Sequence, residues 1–144
     1  MSAMEPLSYL IGFSTKNLSK EENFILEAVL FTYTCDELRE IYRNKYKEYF
    51  QLMKYTIEQE NTMLENNFVR LIIRDILFSE EYTLDGIALY TDTPQDIIQE
   101  IFSGYNISPS AKLLRRIIEL HRSVRRDLYH AVIKKMIVKY SAIA

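Results

Sequence analysis

Cysteine, glycine, proline and tryptophan are scarce in this chain: one, three, three and none among 144 residues. A lone Cys35 excludes an intrachain disulfide and a cysteine-rich metal site. Its default role is a small apolar residue near a helix start, with redox sensing as the alternative. Gly12, Gly86 and Gly104 are too scattered to build a phosphate-cradling loop, and there is no HExxH. His121 and His130 lack carboxylate or thiol neighbours at metal-ligand spacing and read as ordinary surface or interface residues. No catalytic residue, metal or cofactor is expected, and the chain is not read as an enzyme. No apolar run approaches the roughly 20 residues of a membrane span. The opening MSAMEPLSYLIGFSTKN lacks the basic residues and long apolar core of a secretion signal. A soluble, cytoplasmic protein with no membrane partner is expected.

What is abundant points to helices. Leu, Ile, Glu, Lys and Arg are plentiful, eleven tyrosines are present, and period-two alternation is absent, so the expected fold is all-α with no strand. The length suits one domain, or a small domain with a helical arm. A net charge of −2 conceals an uneven distribution. Residues 110–144 hold nine basic side chains against Glu119 and Asp127, whereas the first 109 residues hold nine basic and eighteen acidic ones. A basic stretch of this kind is either a solvated helix face or a phosphate-binding surface.

Ser19 and Glu22 form a capping-box pattern that starts a helix near Lys20, running to about Tyr33. Its body, FILEAVLFTY, is apolar on nearly every side, which calls for cover on more than one face, and a second copy of the chain can supply it. Thr34 with Glu37 marks another start. Leu38, Tyr42, Tyr49, Met53 and Ile57 then recur near helical spacing, predicting a long amphipathic helix that ends between Glu60 and Asn67, its aromatic stripe serving a core or a dimer seam. NFVRLIIRDILFSE follows as a third helix, with Phe68, Leu71, Ile72, Ile76 and Phe78 as its buried set. At the far end RDLYHAVIKKMIVKY carries an apolar stripe of Leu128, Val132, Ile133, Met136 and Tyr140.

Between these lies IALYTDTPQDIIQEIFSGYNISPS, where the rare punctuating residues gather. Thr83 caps a short helix, LDGIALYT; Asp92 and Thr93 make a tight turn; Thr93 caps the next helix with Pro94 at its first position and Asp96 near its positive end. Gly104 stops that helix, and Ser108 before Pro109 caps another. Ala88 is the small residue that lets the two short helices cross, with Ile87, Ile98 and Ile101 around it. Gln95, Gln99 and Ser103 are left on the outward face, beside Asp96 and Glu100.

These residues resemble the helix-turn-helix regulators of the lambda-repressor-like, or Cro and Xre, type. The family's Leu-Ala pair, turn, late isoleucine, glycine and Pro-Ser step read here as Ile87-Ala88, Asp92-Thr93, Ile98 and Ile101, Gly104, and Pro109-Ser110. The resemblance covers about Asn67 to Leu120. It departs at Thr91 and Asp92, where the family often has an apolar residue and then Gly, at Ile97, commonly polar, and in having no Lys or Arg on the second short helix.

The resemblance implies a sequence-specific regulator of transcription that binds double-stranded DNA as a homodimer, with residues 94–103 as the recognition helix in the major groove. Gln95 and Gln99 can each pair with an adenine edge. Asp96 can accept from a cytosine amino group, although capping suits it better. Tyr105, Asn106, Lys112, Arg115 and Arg116 would meet phosphates, Arg122 would extend the patch, and Thr83 and Thr93 complete the set. Arg125 and Arg126 lie further along the same patch. The organisation implied is an irregular N-terminus over 1–18, a dimerising arm over 19–66, the DNA-binding domain over 67–122 and a basic amphipathic helix over 123–144. The alternative is a helical protein–protein interaction module, antitoxin-like or adaptor, using the same fold.

Overall fold

The computed structural model describes residues 6–12, 16–106 and 108–143. Among them there are eight helices and no strand: α1 (Leu7–Leu10), α2 (Lys20–Lys45), α3 (Lys47–Met53), α4 (Ile57–Phe78), α5 (Leu84–Thr91), α6 (Gln95–Ser103), α7 (Ala111–Val124) and α8 (Arg126–Ile143). The all-helical class expected from composition holds. The chain divides into two compact units, one of Met1–Tyr42 with Asp127–Ala144, the other of Arg43–Arg126.

In the first unit, α2 starts as its sequence dictates. Ser19 N donates to the Glu22 carboxylate and Glu22 N to Ser19 Oγ, both at 3.1 Å, and hydrogen bonding from the Ser19 backbone, then from its side chain, holds the Glu22 carboxyl below its ordinary range. The helix does not stop at Tyr33. Thr34, expected to cap a new helix, is buried within α2, its hydroxyl donating 2.9 Å back to the Leu30 carbonyl. A threonine can make either bond, and without Gly or Pro nearby nothing interrupts the helical ladder. Leu30, Cys35 and Leu38 are buried along this face. Thr34 also reaches Met136 Sδ of α8 at 3.5 Å, and Lys139 pairs with the buried Glu37. Leu7–Leu10, within the opening expected to be irregular, is a turn of helix whose first N–H groups meet Glu27: Leu7 N at 2.7 Å and Ser8 N at 3.0 Å. On α8, Tyr129, Val132 and Met136 are buried, and Leu128 and Ile133 are half-buried; the side chain of Tyr140 lies outside the described residues.

In the second unit, the long helix expected to end between Glu60 and Asn67 breaks much earlier. Lys54 turns left-handed (φ 55°) after α3, and Thr56 opens α4 through a capping box. Gln59 N donates to Thr56 Oγ1 at 3.2 Å, and Thr56 N to Gln59 Oε1 at 2.8 Å. ENTMLENN is therefore the body of α4, and the helix expected to begin at Asn67 begins at Ile57. Tyr49, Met53 and Ile57 of the expected stripe are exposed, because the break removes them from it. Phe68, Leu71, Ile72 and Ile76 are buried as expected, whereas Phe78, at the end of α4, lies in solvent under the Arg74 guanidinium, 5.4 Å from its ring centre.

α4 packs on α6 and α7, and α5 on α6 and α7. Ile72, Ile73, Ile76, Ile87, Ile98, Ile117 and Leu120 are fully buried in this four-helix core. Each contributes about 1.5–3 kcal/mol by leaving water. That core fixes the position of the short pair α5 and α6.

Candidate nucleic-acid interface

α5 is capped by Thr83, whose Oγ1 accepts from Gly86 N at 3.1 Å. It ends at Asp92, left-handed with φ 52°, after which Thr93 N returns to the Ala88 carbonyl at 3.0 Å. Ile87 and Ala88 are buried beneath the bend, so the small residue stands at the crossing. Thr93 does not cap α6. Its hydroxyl donates instead to the Thr91 carbonyl at 3.1 Å, and Pro94 is the N-cap residue, its carbonyl accepting from Ile97 N at 3.1 Å. The physical reason lies in the turn, where the buried Thr91 carbonyl, at the negative end of α5 and past the last helical donor, attracts other donors. Arg116 answers the same carbonyl, with Nη1 2.7 Å away. Part of the Arg116 donor set is therefore committed to bracing the turn.

α6 has one buried ridge, Ile98 and Ile101, flanked by half-buried Ile97 and Phe102; Gln95, Asp96, Gln99, Glu100 and Ser103 are exposed on the opposite side. Gly104 ends it with φ 89°, a conformation that costs an L-residue about 1–2 kcal/mol. A methyl group built there would stand 3.6 Å from the Arg70 guanidinium. Both following amides, Tyr105 N and Asn106 N, return to the Glu100 carbonyl, at 2.9 and 3.1 Å, and close the helix end. The Tyr105 ring is 89 % exposed. Asn106 Oδ1 accepts from Ser108 N at 3.2 Å, which makes this pair a turn rather than a cap. Ser110, not Ser108, starts α7, accepting from Leu113 N at 3.1 Å. The shift of two residues places Pro109 before the cap.

On α7, Leu113, Ile117, Ile118 and Leu120 are buried and Leu114 is half-buried, so Lys112 and Arg115 are exposed, three residues apart on the outer face. Arg122 is half-buried a further two turns along. Gln95, Asp96 and Gln99 thus form the outward edge of α6, Tyr105 is exposed in the turn after it, and Lys112 and Arg115 are exposed on the helix that follows.

The edge is not uniformly basic. The groove between α5 and α6 is lined by Asp85, Ala88, Leu89, Asp92, Thr93, Pro94 and Gln95, and Leu89 beside it is 83 % exposed.

His121 is not a surface residue. It is fully buried on α7, and its Nε2 lies 2.7 Å from Asp75 Oδ2 on α4. An ionised carboxylate only accepts, so Nε2 carries the proton. Arg125, expected to extend a basic patch, donates from Nη1 to both Asp75 oxygens, at 2.7 and 2.8 Å. Burial pushes the Asp75 carboxyl up, but the His121 hydrogen bond with the nearby charges of His121, Arg125 and Lys45 outweighs it and leaves the group below its ordinary value. The spacing of Leu113, Ile117, Leu120 and His121 is the signal for this, since it puts the histidine on the apolar stripe of α7.

No family model, curated protein or solved structure matches the chain. Among the described residues no helix is long and apolar enough to cross a membrane.

Proposed function

We propose that this chain is a helix-turn-helix regulator that binds double-stranded DNA as a homodimer, with α6 entering the major groove. The observation that carries the reading is the two-sided character of α6: isoleucines inward, Gln95 and Gln99 outward, on a short helix held by a turn on each side. A glutamine amide offers a donor and an acceptor together, the pair that an adenine edge complements. Phosphate contacts fall to Tyr105, Asn106, Lys112 and Arg115, to the half-buried Arg122, and to whatever Arg116 retains beyond its bond to Thr91. Thr83 and Thr93 serve the motif by shaping its two ends. The exposed apolar side chains of α2 support the second copy, which doubles the number of bases read. The reading carries with it a cytoplasmic location.

The test is a binding titration with a random-sequence duplex at two salt concentrations. Lys112→Ala with Arg115→Ala removes two phosphate contacts and reduces the salt slope by about 2. An unchanged slope contradicts the role of α7.

A second reading rests on the acidic groove. Asp85 and Asp92 beside the exposed Leu89 suit a basic, apolar segment of a partner protein, as in an interaction module. Leu89→Lys separates the two, because it abolishes such a complex and leaves DNA affinity intact or raised.

A further inference from the structure

Far along the chain from α5 and α6, the second unit contains a pocket of about 250 Å³ between the end of α2, α3 and the first turn of α4. Its lining is of two kinds. Phe50 and Tyr55 supply the aromatic part of the lining, their rings stacked on one another with centroids 5.9 Å apart and planes inclined by 29°. Tyr49 meets Tyr55 edge-on, with ring centroids 6.0 Å apart. Arg43, Lys47 and Lys54 supply positive charge, and Asn44 and Gln51 add amide groups.

The one carboxylate in the lining, Glu60, is already engaged. Arg43 Nη1 donates to its Oε1 at 2.8 Å, while Nη2 meets Asn61 Oδ1. These bonds fix the plane of the guanidinium and neutralise Glu60. The two ammonium groups therefore remain in excess. Among the described residues neither has an acidic partner, and both are exposed at the rim. Lys54 takes the left-handed conformation at the end of α3, where glycine is the unstrained choice, and the fold nonetheless carries a cation there.

We propose that this pocket binds a small organic anion carrying a flat ring, with the ring against Tyr55 and Phe50 and the anionic group between Lys47 and Lys54 under the Arg43 guanidinium. The chemistry of the lining sets both halves of the ligand. Charge-assisted hydrogen bonds to a carboxylate or phosphate are stronger than neutral ones. A stacked aromatic wall favours a ring over a bare ion. A volume near the lower limit of small-molecule sites restricts the ligand to a single ring system. The proposal uses no residue of α5, α6 or α7 and stands apart from the DNA reading.

The test is calorimetric titration of the full chain, at low ionic strength, with phenyl phosphate, inorganic phosphate and benzylamine. One saturable site for phenyl phosphate is expected, with inorganic phosphate at least about tenfold weaker and no binding of benzylamine. Lys47→Gln combined with Lys54→Gln weakens phenyl phosphate by about tenfold or more, the scale of one charge-assisted hydrogen bond, whereas Lys20→Gln leaves it unchanged. Thermal melts of the variants establish that they fold. Equal affinity for inorganic and phenyl phosphate overturns the ring half of the proposal. Absence of saturable phenyl phosphate binding, or full affinity in the double lysine variant, overturns all of it.

Discussion

Asp75 shows how one buried residue ties two helices together and makes stability depend on pH. Its carboxylate on α4 accepts one hydrogen bond from His121 Nε2 and two from Arg125, both on the C-terminal side of α7. Because the folded carboxyl lies below its ordinary value, the unfolded chain takes up the proton first as pH falls. The stabilisation is therefore present above about pH 4, the ordinary carboxylate range, and is lost as pH drops through the folded value. Asp75→Asn should be less stable at pH 7 and show a flatter decline below about pH 4, measured by denaturant melts across pH. Parallel acid profiles for the variant and the natural chain contradict this account. His121→Ala strips the carboxylate of a buried partner and opens a cavity, at a cost of about 3–5 kcal/mol. His121, read from the sequence as an ordinary surface or interface residue, carried one signal of burial in its spacing on the apolar stripe of α7. Its partner was not legible, because Asp75 is 46 residues away and no local pattern links them.

At the scale of the element, caps divide into those that local sequence decides and those that packing decides. Ser19 with Glu22, Thr83 and Gly104 act as their sequence context predicts. Thr34 and Thr93 do not, since their hydroxyls find competing backbone partners, the Leu30 and Thr91 carbonyls, and Ser108 does not, since its N–H closes a turn on the Asn106 side chain. Thr56 with Gln59 is the reverse case, a capping box inside a stretch whose apolar spacing reads as uninterrupted helix. Periodicity alone cannot register a break when the residues after it resume the same spacing, as Ile57 does after Met53. Thr56→Ala should cost about 1 kcal/mol in equilibrium unfolding. Thr93→Ala should cost less than about 0.5 kcal/mol, because its hydroxyl caps no helix. The opposite order would mean that Thr93 starts α6 in solution. The two short helices were legible because Gly, Pro and Asp92 punctuate them; the division of the long segment into α2, α3 and α4 was not.

For the whole molecule, the governing facts are an uneven charge and unsatisfied apolar surface. Phe24 is 70 % exposed on α2, with Ile25, Val29 and Tyr33 also in solvent. A helix that is apolar on this face as well as on its buried one is short of cover. We expect a dimer at micromolar concentration, and a monomer for Ile25→Glu combined with Val29→Glu, by sedimentation equilibrium. A monomeric natural chain would remove the two-fold reading of DNA. The basic balance of residues 110–144 resolves into different uses: Arg116 braces a turn, Arg125 completes a buried network, Lys139 pairs with Glu37, and Lys112 and Arg115 are exposed on α7. Net charge was legible in the sequence, but this partition depends on which partner each side chain meets.

The most direct test of the central claim is selection of bound fragments from a random duplex DNA pool, run with the natural chain and with Gln95→Ala and Gln99→Ala together. The account predicts enrichment of a two-fold symmetric sequence by the natural chain, with adenine positions in each half that the variant no longer selects. A pool that stays random, or an identical enriched sequence from both proteins, would contradict it.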